Sequence, residues 1–227
     1  MERLVPHQIQ MKGVLRQARL RAQLKSVESG ITFAKEGAPA LDIFTVTTGS
    51  VKLSKLVKFG RRQVVGFLVP GEVFGFVPGK TYPVSAQAVG SVTVWRIPRR
   101  RLERLFMEFP EAQRQFLDNL THQLELAREQ IVLLHRKSAR QRVAAFLLGL
   151  AQRQGNREGW VSLPMTRADI ADYLGLSMET VSRVFSVLRS IGSITVATGE
   201  FRIVDANALT DLTERLVHTR DSLTTAQ

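Results

Sequence analysis

Glycine and proline are distributed unevenly along this 227-residue chain, and this distribution limits the folds that it can adopt. Between residues 28 and 97, short runs rich in β-branched and aromatic residues are interrupted repeatedly by glycine or proline. After Pro98 the pattern changes, because residues 99–136 contain a single breaker, Pro110. We therefore predict an α+β chain, with a β-rich N-terminal part followed by long helices.

The β-rich part is predicted to be an antiparallel sandwich or jelly roll, because short strands alternate there with turn signals. A turn is predicted at Thr48-Gly49-Ser50, and a hairpin turn at Phe59-Gly60-Arg61-Arg62. An α/β sheet would need helical patterns between the strands, and this segment has none. The predicted strands are residues 43–47, 51–56, 64–69 and 91–97.

Pro110 is expected to divide a short helix, residues 99–108, from a long helix, residues 111–136. Apolar residues in the long helix recur alternately every three and four positions, which is the spacing of a coiled-coil seam. A helix packed on its own domain would also carry apolar residues at such positions, but the strict alternation favours a dimer interface. The predicted interface consists of Leu117, Leu120, Leu124, Ala127, Ile131 and Leu134.

Residues 166–191 predict two short helices joined by a tight turn at Gly175, which is a helix-turn-helix. Thr166 is a suitable N-cap for the first helix, and Asp169 follows near the positive end of that helix. Ser177 is a suitable N-cap for the second helix. The predicted buried stripe of the second helix is Val181, Val184, Phe185 and Leu188.

Glu179, Ser182 and Arg183 occupy another face of the second helix, and we predict that they read DNA bases. An arginine can donate two hydrogen bonds to guanine, a glutamate can accept one from cytosine, and a serine can bond a base or a phosphate. Alternatively, Glu179 and Arg183 form an ordinary surface ion pair at i and i+4, and both roles are compatible. The residues expected to contact the DNA backbone or cap these helices are Thr166, Ser177 and Thr180.

A hairpin is predicted directly after this unit, from residues 194–196 and 201–204 with Gly199 between them. This is the layout of a winged helix, whose wing we expect to lie against phosphates. A terminal helix is expected from Asn207 to about residue 216, and another helix at residues 141–154 before the helix-turn-helix. The predicted domains are an N-terminal helix and β-roll at residues 1–98, a dimerisation helix at residues 99–137, and a winged helix-turn-helix at residues 138–227.

In this order, the predicted units resemble the catabolite activator/FNR superfamily of bacterial transcription regulators over roughly residues 25–215. The most specific motif is DIADYLGLSMETVSR, residues 169–183, supported by VTTGSVKL at residues 46–53 and RQVVGFLVPGE at residues 62–72. The Glu-x-x-Ser-Arg pattern is similar to the FNR/FixK branch, and the cyclic-AMP branch typically has arginine where this chain has Met178. The resemblance implies a homodimeric activator that reads TTGA-type inverted repeats in double-stranded DNA and recruits RNA polymerase, with a β-domain like those that bind cyclic nucleotides.

The chain has no cysteine, which excludes a disulfide, a thiolate zinc site and the iron–sulfur sensor of FNR itself. The cyclic-AMP branch binds the cyclic phosphate with an Arg-Ser pair, whereas residues 80–87 of this chain contain no arginine. We therefore expect no cofactor, no metal site and no small-molecule effector, as in FixK-type regulators. The alternative is a ligand-gated regulator of the same superfamily that binds a cyclic nucleotide or another small effector in its β-domain.

The net charge of +12 suggests a polyanionic partner but does not locate the DNA-reading segment. Residues 1–136 carry 21 basic and 11 acidic side chains, whereas residues 137–227 carry 11 and 9. An enzyme would need clustered catalytic groups, and the chain contains no His-x-His, His-Glu-x-x-His or Gly-x-Ser-x-Gly motif, so no catalytic residues are expected. The absence of a signal peptide or a membrane-length apolar run favours a cytoplasmic protein without a membrane partner.

Overall fold

A computed structural model describes residues 22–57, 60–136, 138–156 and 158–214 of the chain. The predicted N-terminal helix lies outside these ranges, as does the predicted terminal helix beyond residue 214. Among the described residues, no helix is both long enough and apolar enough to cross a membrane.

The N-terminal domain is built on antiparallel strands, and the predicted fold class is confirmed. The strands pair in the order β1-β6-β3-β4, with β2 added on β6 and β5 on β3. Their inward side chains form an apolar core that includes Phe44, Val51, Phe74 and Val94. The strands are β1 (Gln23–Val27), β2 (Thr32–Ala34), β3 (Asp42–Leu56), β4 (Arg62–Leu68), β5 (Val73–Phe74) and β6 (Ser85–Pro98).

The turn predicted at Thr48-Gly49-Ser50 is wrong, because β3 runs through these residues without ending. The pairing of β3 with β6 instead shifts register on either side of Thr48, as in a β-bulge. Gly49 has a φ of +80°, and a Cβ atom there would collide with the carbonyl oxygen of Ser91. The glycine therefore lets a long strand bend against its neighbour, where the sequence pattern suggested that the strand stopped.

Two helices follow, divided at Pro110 as the sequence predicts: α1 (Arg99–Glu108) and α2 (Pro110–Arg136). Helix α1 ends where the Phe109 N–H donates a hydrogen bond to the Leu105 carbonyl, 2.8 Å away. Leu102 of α1 and Phe116 of α2 are buried together against the β-domain. The start of the long helix is thereby anchored to the sheet.

The C-terminal domain contains the predicted helix-turn-helix and a three-stranded sheet. Ser138 caps α3 through a reciprocal pair of hydrogen bonds with Gln141. The predicted hairpin is present, and β7 adds a third strand to it, giving the order β7-β9-β8. The elements are α3 (Ala139–Arg153), β7 (Trp160–Ser162), α4 (Arg167–Leu174), α5 (Met178–Ser190), β8 (Ile194–Ala197), β9 (Glu200–Ile203) and α6 (Ala206–Glu214).

The two domains share part of one apolar core. Val64, Phe67 and Val69, on and just after β4, belong to the same buried cluster as the interior of the C-terminal domain. The Phe67 ring packs edge-on against Phe146 of α3 and Tyr173 of α4, with centroids 6.1 and 5.3 Å away. The C-terminal domain is therefore packed directly on the sheet of its own chain.

Candidate nucleic-acid interface

Helix α5 presents the three predicted base-reading side chains to solvent. Glu179, Ser182 and Arg183 are all exposed, and positions three and four apart lie on one side of a helix. The opposite side carries the predicted apolar stripe, and all of its members are buried. One face of α5 therefore anchors the helix, and the other offers a carboxylate, a hydroxyl and a guanidinium side by side. The buried stripe is Val181, Val184, Phe185 and Leu188.

The predicted supporting residues lie at the N-termini of α4 and α5. The Thr166 hydroxyl oxygen accepts a hydrogen bond from the Asp169 N–H at 3.0 Å, and the Asp169 carboxylate accepts one from the Thr166 N–H at 3.2 Å. Ser177 Oγ accepts a bond from the Thr180 N–H at 3.1 Å and lies 3.0 Å from the Thr180 hydroxyl. Each helix thus begins with its first N–H groups partly satisfied and its positive end at the surface.

Gly175 forms the turn between the two helices. Its φ of 62° and ψ of 43° lie in the left-handed region, which glycine adopts without steric penalty. The Leu176 N–H then donates to the Ala171 carbonyl at 2.9 Å, which closes the end of α4. This conformation sets the direction in which α5 leaves α4.

Arg167 adds a contact between the two helices that the sequence analysis missed. Its guanidinium carbon lies 3.5 Å from the centroid of the Phe185 ring, which is a cation–π arrangement. Burial lowers the pKa of Arg167 from its usual value. The first turn of α4 is thereby fixed on the buried side of α5.

Glu179 and Arg183 have the i, i+4 spacing of an ion pair. Among the ion pairs of the described residues, however, none joins these two side chains within 4.0 Å. The pKa of the Glu179 carboxyl is lowered chiefly by a hydrogen bond from its own N–H, next by the Ser177 hydroxyl, and further by the Arg183 charge. Glu179 therefore favours the ionised form, which is the form that accepts a hydrogen bond from a cytosine amino group.

The predicted dimer seam on α2 divides into two groups. Leu117, Leu124 and Ile131 are 51%, 51% and 58% exposed, and Ala127 is also exposed. Leu120 instead packs against the cluster under the β-domain. The remaining seam residue, Leu134, is partly buried. A Cβ atom at Gly175 would lie 3.9 Å from the Leu134 Cδ2 atom, so Leu134 lies beside the turn of the helix-turn-helix.

Two polar side chains connect α2 with the helix-turn-helix, and no local sequence pattern indicates either contact. Gln130 Nε2 donates a hydrogen bond to the Tyr173 carbonyl at 3.2 Å. The Arg142 guanidinium donates to the Leu134 carbonyl at 2.8 Å and to the Leu174 carbonyl at 3.0 Å. The C-terminal half of α2 is therefore tied to the last turn of α4.

Comparison with known proteins gives two family matches, to the Crp-like helix-turn-helix domain over residues 141–212 and to the cyclic nucleotide-binding domain over residues 24–109. Transcriptional activatory protein AadR of Rhodopseudomonas palustris is 40% identical over 173 residues, which cover 75% of this chain and 72% of that protein. Nitrogen fixation regulation protein FixK of Bradyrhizobium diazoefficiens is 40% identical over 180 residues, covering 78% of this chain and 76% of that protein. The chain belongs to the FixK branch of the CRP/FNR family.

The fold of this CRP/FNR-family regulator is shared with a solved FixK2 structure from Bradyrhizobium japonicum. The two have a TM-score of 0.77 and 33% sequence identity, and the match covers 84% of this chain and 96% of that one. The helix-turn-helix built by α4 and α5 lies inside the Crp-like match. The resemblance stated from the sequence motifs is thus confirmed.

The cyclic nucleotide-binding match raises the question of whether this regulator has residues that suit such a ligand. Glu72, next to Gly71 in the loop after β4, is only 3% exposed. Its carboxylate accepts hydrogen bonds from the Arg153 Nε and Nη2 atoms at 2.8 and 2.7 Å. Tyr82, in the stretch where the cyclic-AMP branch carries its Arg-Ser pair, is buried and stacks on Phe74. Neither of these two side chains offers a positive charge to a phosphate group.

Among the described residues, no group of three or more histidine or acidic side chains is placed to hold a metal ion.

Proposed function

We propose that this chain is a sequence-specific transcription activator that binds a TTGA-type inverted repeat in double-stranded DNA as a homodimer. The observation that carries the proposal is the exposed row of Glu179, Ser182 and Arg183 on a helix that is capped at one end and buried along its opposite side. A recognition helix of this type enters the major groove with its N-terminal residues at the base edges.

Each side chain in the row has a distinct role in the proposal. Arg183 donates two hydrogen bonds to the O6 and N7 atoms of a guanine, and Glu179 accepts one from a cytosine N4 amino group. Ser182 bonds a base edge or a phosphate. Thr166, at the start of α4, lies where a helix N-terminus can approach a phosphate.

The homodimer is supported by the apolar residues that α2 leaves exposed in one chain. Leu117, Leu124 and Ile131 repeat every seven residues, so they form one stripe along the helix. Pairing this stripe with its copy would place two recognition helices in successive major grooves, about 34 Å apart.

We further propose that the protein acts in the cytoplasm and activates transcription by recruiting RNA polymerase. Family membership and the names of its relatives support this role. AadR is named a transcriptional activatory protein, and it is 40% identical to this chain.

The proposed activator works without a cyclic nucleotide or an iron–sulfur cluster. The buried pairing of Glu72 with Arg153 supports the first point, and the lack of cysteine supports the second. A ligand-gated regulator is the second candidate, because residues 24–109 match the cyclic nucleotide-binding domain. Calorimetry with cyclic AMP distinguishes the two, since a clear saturable heat of binding favours the ligand-gated candidate.

The base-reading role is tested by titrating the purified protein with a TTGA-type palindrome and with a scrambled duplex. We expect Arg183→Ala to weaken binding to the palindrome by about 1–3 kcal/mol, because one bidentate base contact is lost. Arg189→Ala is the matched control, since it removes an exposed arginine from the last turn of the same helix. Equal affinity of the unaltered protein for the palindrome and the scrambled duplex would refute the proposal.

Transcription in vitro tests the remaining steps. Only this protein, RNA polymerase and a promoter carrying the palindrome are combined, with no ligand added. We expect activation under these conditions. Activation that appears only after cyclic AMP is added would support the ligand-gated candidate instead.

A further inference from the structure

Glu72 is a buried carboxylate in the β-domain that the proposed reading of DNA does not use directly. Two of its contacts come from Arg153, the last residue of α3, and a third comes from the Val69 N–H at 3.1 Å. Arg153 also donates to the Phe67 carbonyl. The ion pair therefore joins a loop of the β-domain to a helix of the C-terminal domain, 81 positions later in the chain.

Arg153 is held in one position by its contacts with the β-domain. Burial alone would lower the pKa of its guanidinium, but the Glu72 charge and hydrogen bonds raise the pKa instead. Both side chains are largely removed from solvent, at 15% and 4% exposure. A bidentate arginine–carboxylate pair has a strict geometry, so the pair restricts rotation of α3 against the sheet.

Helix α4 carries two further connections to the same sheet. Among the described strands, β4 lies at the edge of the order, and an edge strand presents backbone N–H groups that no neighbouring strand pairs. Asp172 covers this edge, because its carboxylate accepts a hydrogen bond from the Val64 N–H and its carbonyl accepts one from Gln63 Nε2, both at 2.6 Å. One turn earlier, Asp169 forms an ion pair with Lys52 of β3 at 2.6 Å.

The anchors surround the aromatic contact of Phe67 with Phe146 and Tyr173. These anchors are the Arg153 contacts of α3 and the Asp169 and Asp172 contacts of α4. Because they lie on two different helices, rotation of the C-terminal domain about the axis of one helix would break the contacts of the other. Since α4 is the first helix of the helix-turn-helix, the orientation of the recognition helix is set by the β-domain of the same chain.

We propose that Glu72 is a positioning residue for DNA recognition: it holds α3 on the β-domain, so that the two recognition helices of a dimer have one spacing without any ligand. The inference rests on the proposed homodimeric reading of an inverted repeat. It also assigns Glu72 to the interface between domains rather than to a cyclic nucleotide.

The first test uses inverted repeats whose half-sites are moved apart or together by one or two base pairs. The unaltered protein is expected to prefer one spacing strongly. Glu72→Gln keeps the size of the side chain but removes its charge, and we expect it to lose about tenfold in affinity at the preferred spacing and little at the others. Glu103→Gln is the control, because it removes a carboxylate from a surface ion pair with Arg99. Retention of the original spacing preference by Glu72→Gln would overturn the proposal.

The second test measures domain orientation without DNA, so it remains valid even if the DNA-binding proposal fails. Because the chain has no cysteine, spin labels can be attached at cysteines introduced for the exposed residues Glu28 and Ser186. Labelled chains diluted with unlabelled protein are expected to give a narrow distance distribution, which Glu72→Gln broadens. A distribution equally narrow and unshifted in the variant would contradict a positioning role.

Two controls separate positioning from folding and from ligand binding. Thermal unfolding followed by circular dichroism establishes that the variant is folded, and Asp172→Asn replaces it in both tests if Glu72→Gln does not fold. Added cyclic AMP is expected to leave the spacing preference and the distance distribution of the unaltered protein unchanged. A shift of either on addition of cyclic AMP would overturn the assignment of Glu72.

Discussion

Substitution of Leu124 is the most direct test of the apolar stripe on α2, because half of this residue is exposed to solvent in one protomer. Full burial of a leucine side chain is worth about 1.5–3 kcal/mol, and 51% of Leu124 is exposed in the protomer. Covering that half in a dimer would contribute about 1 kcal/mol per chain. Since both copies are covered, Leu124→Ala should weaken the dimer by about 2 kcal/mol, or about thirtyfold in the dissociation constant.

Sedimentation equilibrium over a dilution series measures this change, and urea unfolding of the protomer is expected to change little. Val132→Ala is the matched control, because Val132 is 56% exposed on the same helix and lies about 100° around the axis from Ile131. An unchanged dissociation constant for Leu124→Ala, or an equal loss for Val132→Ala, would refute the stripe as the dimer interface.

Three further predictions concern the helix-turn-helix. Thr166→Ala should lower the free energy of unfolding by about 0.5–2 kcal/mol, since it removes an N-cap; urea denaturation measures this, with the exposed Thr195→Ala as control. Gly175→Ala should lower it by about 1–2 kcal/mol, because φ is +62° there, and an unchanged midpoint would argue against this turn. Burial would raise the pKa of Asp169, but hydrogen bonds from Lys52 and Thr166 lower the pKa below the usual 3.8. The stability that the ionised carboxylate contributes should therefore be complete above pH 3.8 and be lost below it. The difference in the free energy of unfolding between the unaltered protein and Asp169→Asn should shrink between pH 5 and pH 3.

Local patterns predicted the helices and the buried stripe of α5 well, because their signals lie within a few residues of each other. Pro110 separates α1 from α2 as expected, and the stripe from Val181 to Leu188 is buried at the predicted positions. Thr166 and Ser177 cap the expected helices. Periodicity and capping act over one or two turns, so a single sequence is sufficient to show them.

The contacts between the domains could not be predicted in the same way. Lys52 and Asp169 are 117 positions apart, and Val64 and Asp172 are 108 apart, and neither pair has a local signal. The seam pattern also could not distinguish Leu120, which packs within its own chain, from Leu124, because both satisfy the same spacing. The sequence around Gly49 predicts a turn where the structure has a bulge, because a glycine in a bulge and a glycine in a turn have the same local sequence signature.

The apolar cluster shared by β4 and the C-terminal domain limits how freely the two parts of the chain can be recombined. A graft of this winged helix onto the β-domain of a relative would have to reproduce the side chains that Val64, Phe67 and Val69 present to it, in addition to a suitable joining segment. A mismatch there would leave a cavity or a steric clash beneath α4. Hybrid regulators of this family should therefore exchange specificity more readily through the exposed face of α5 than through whole domains.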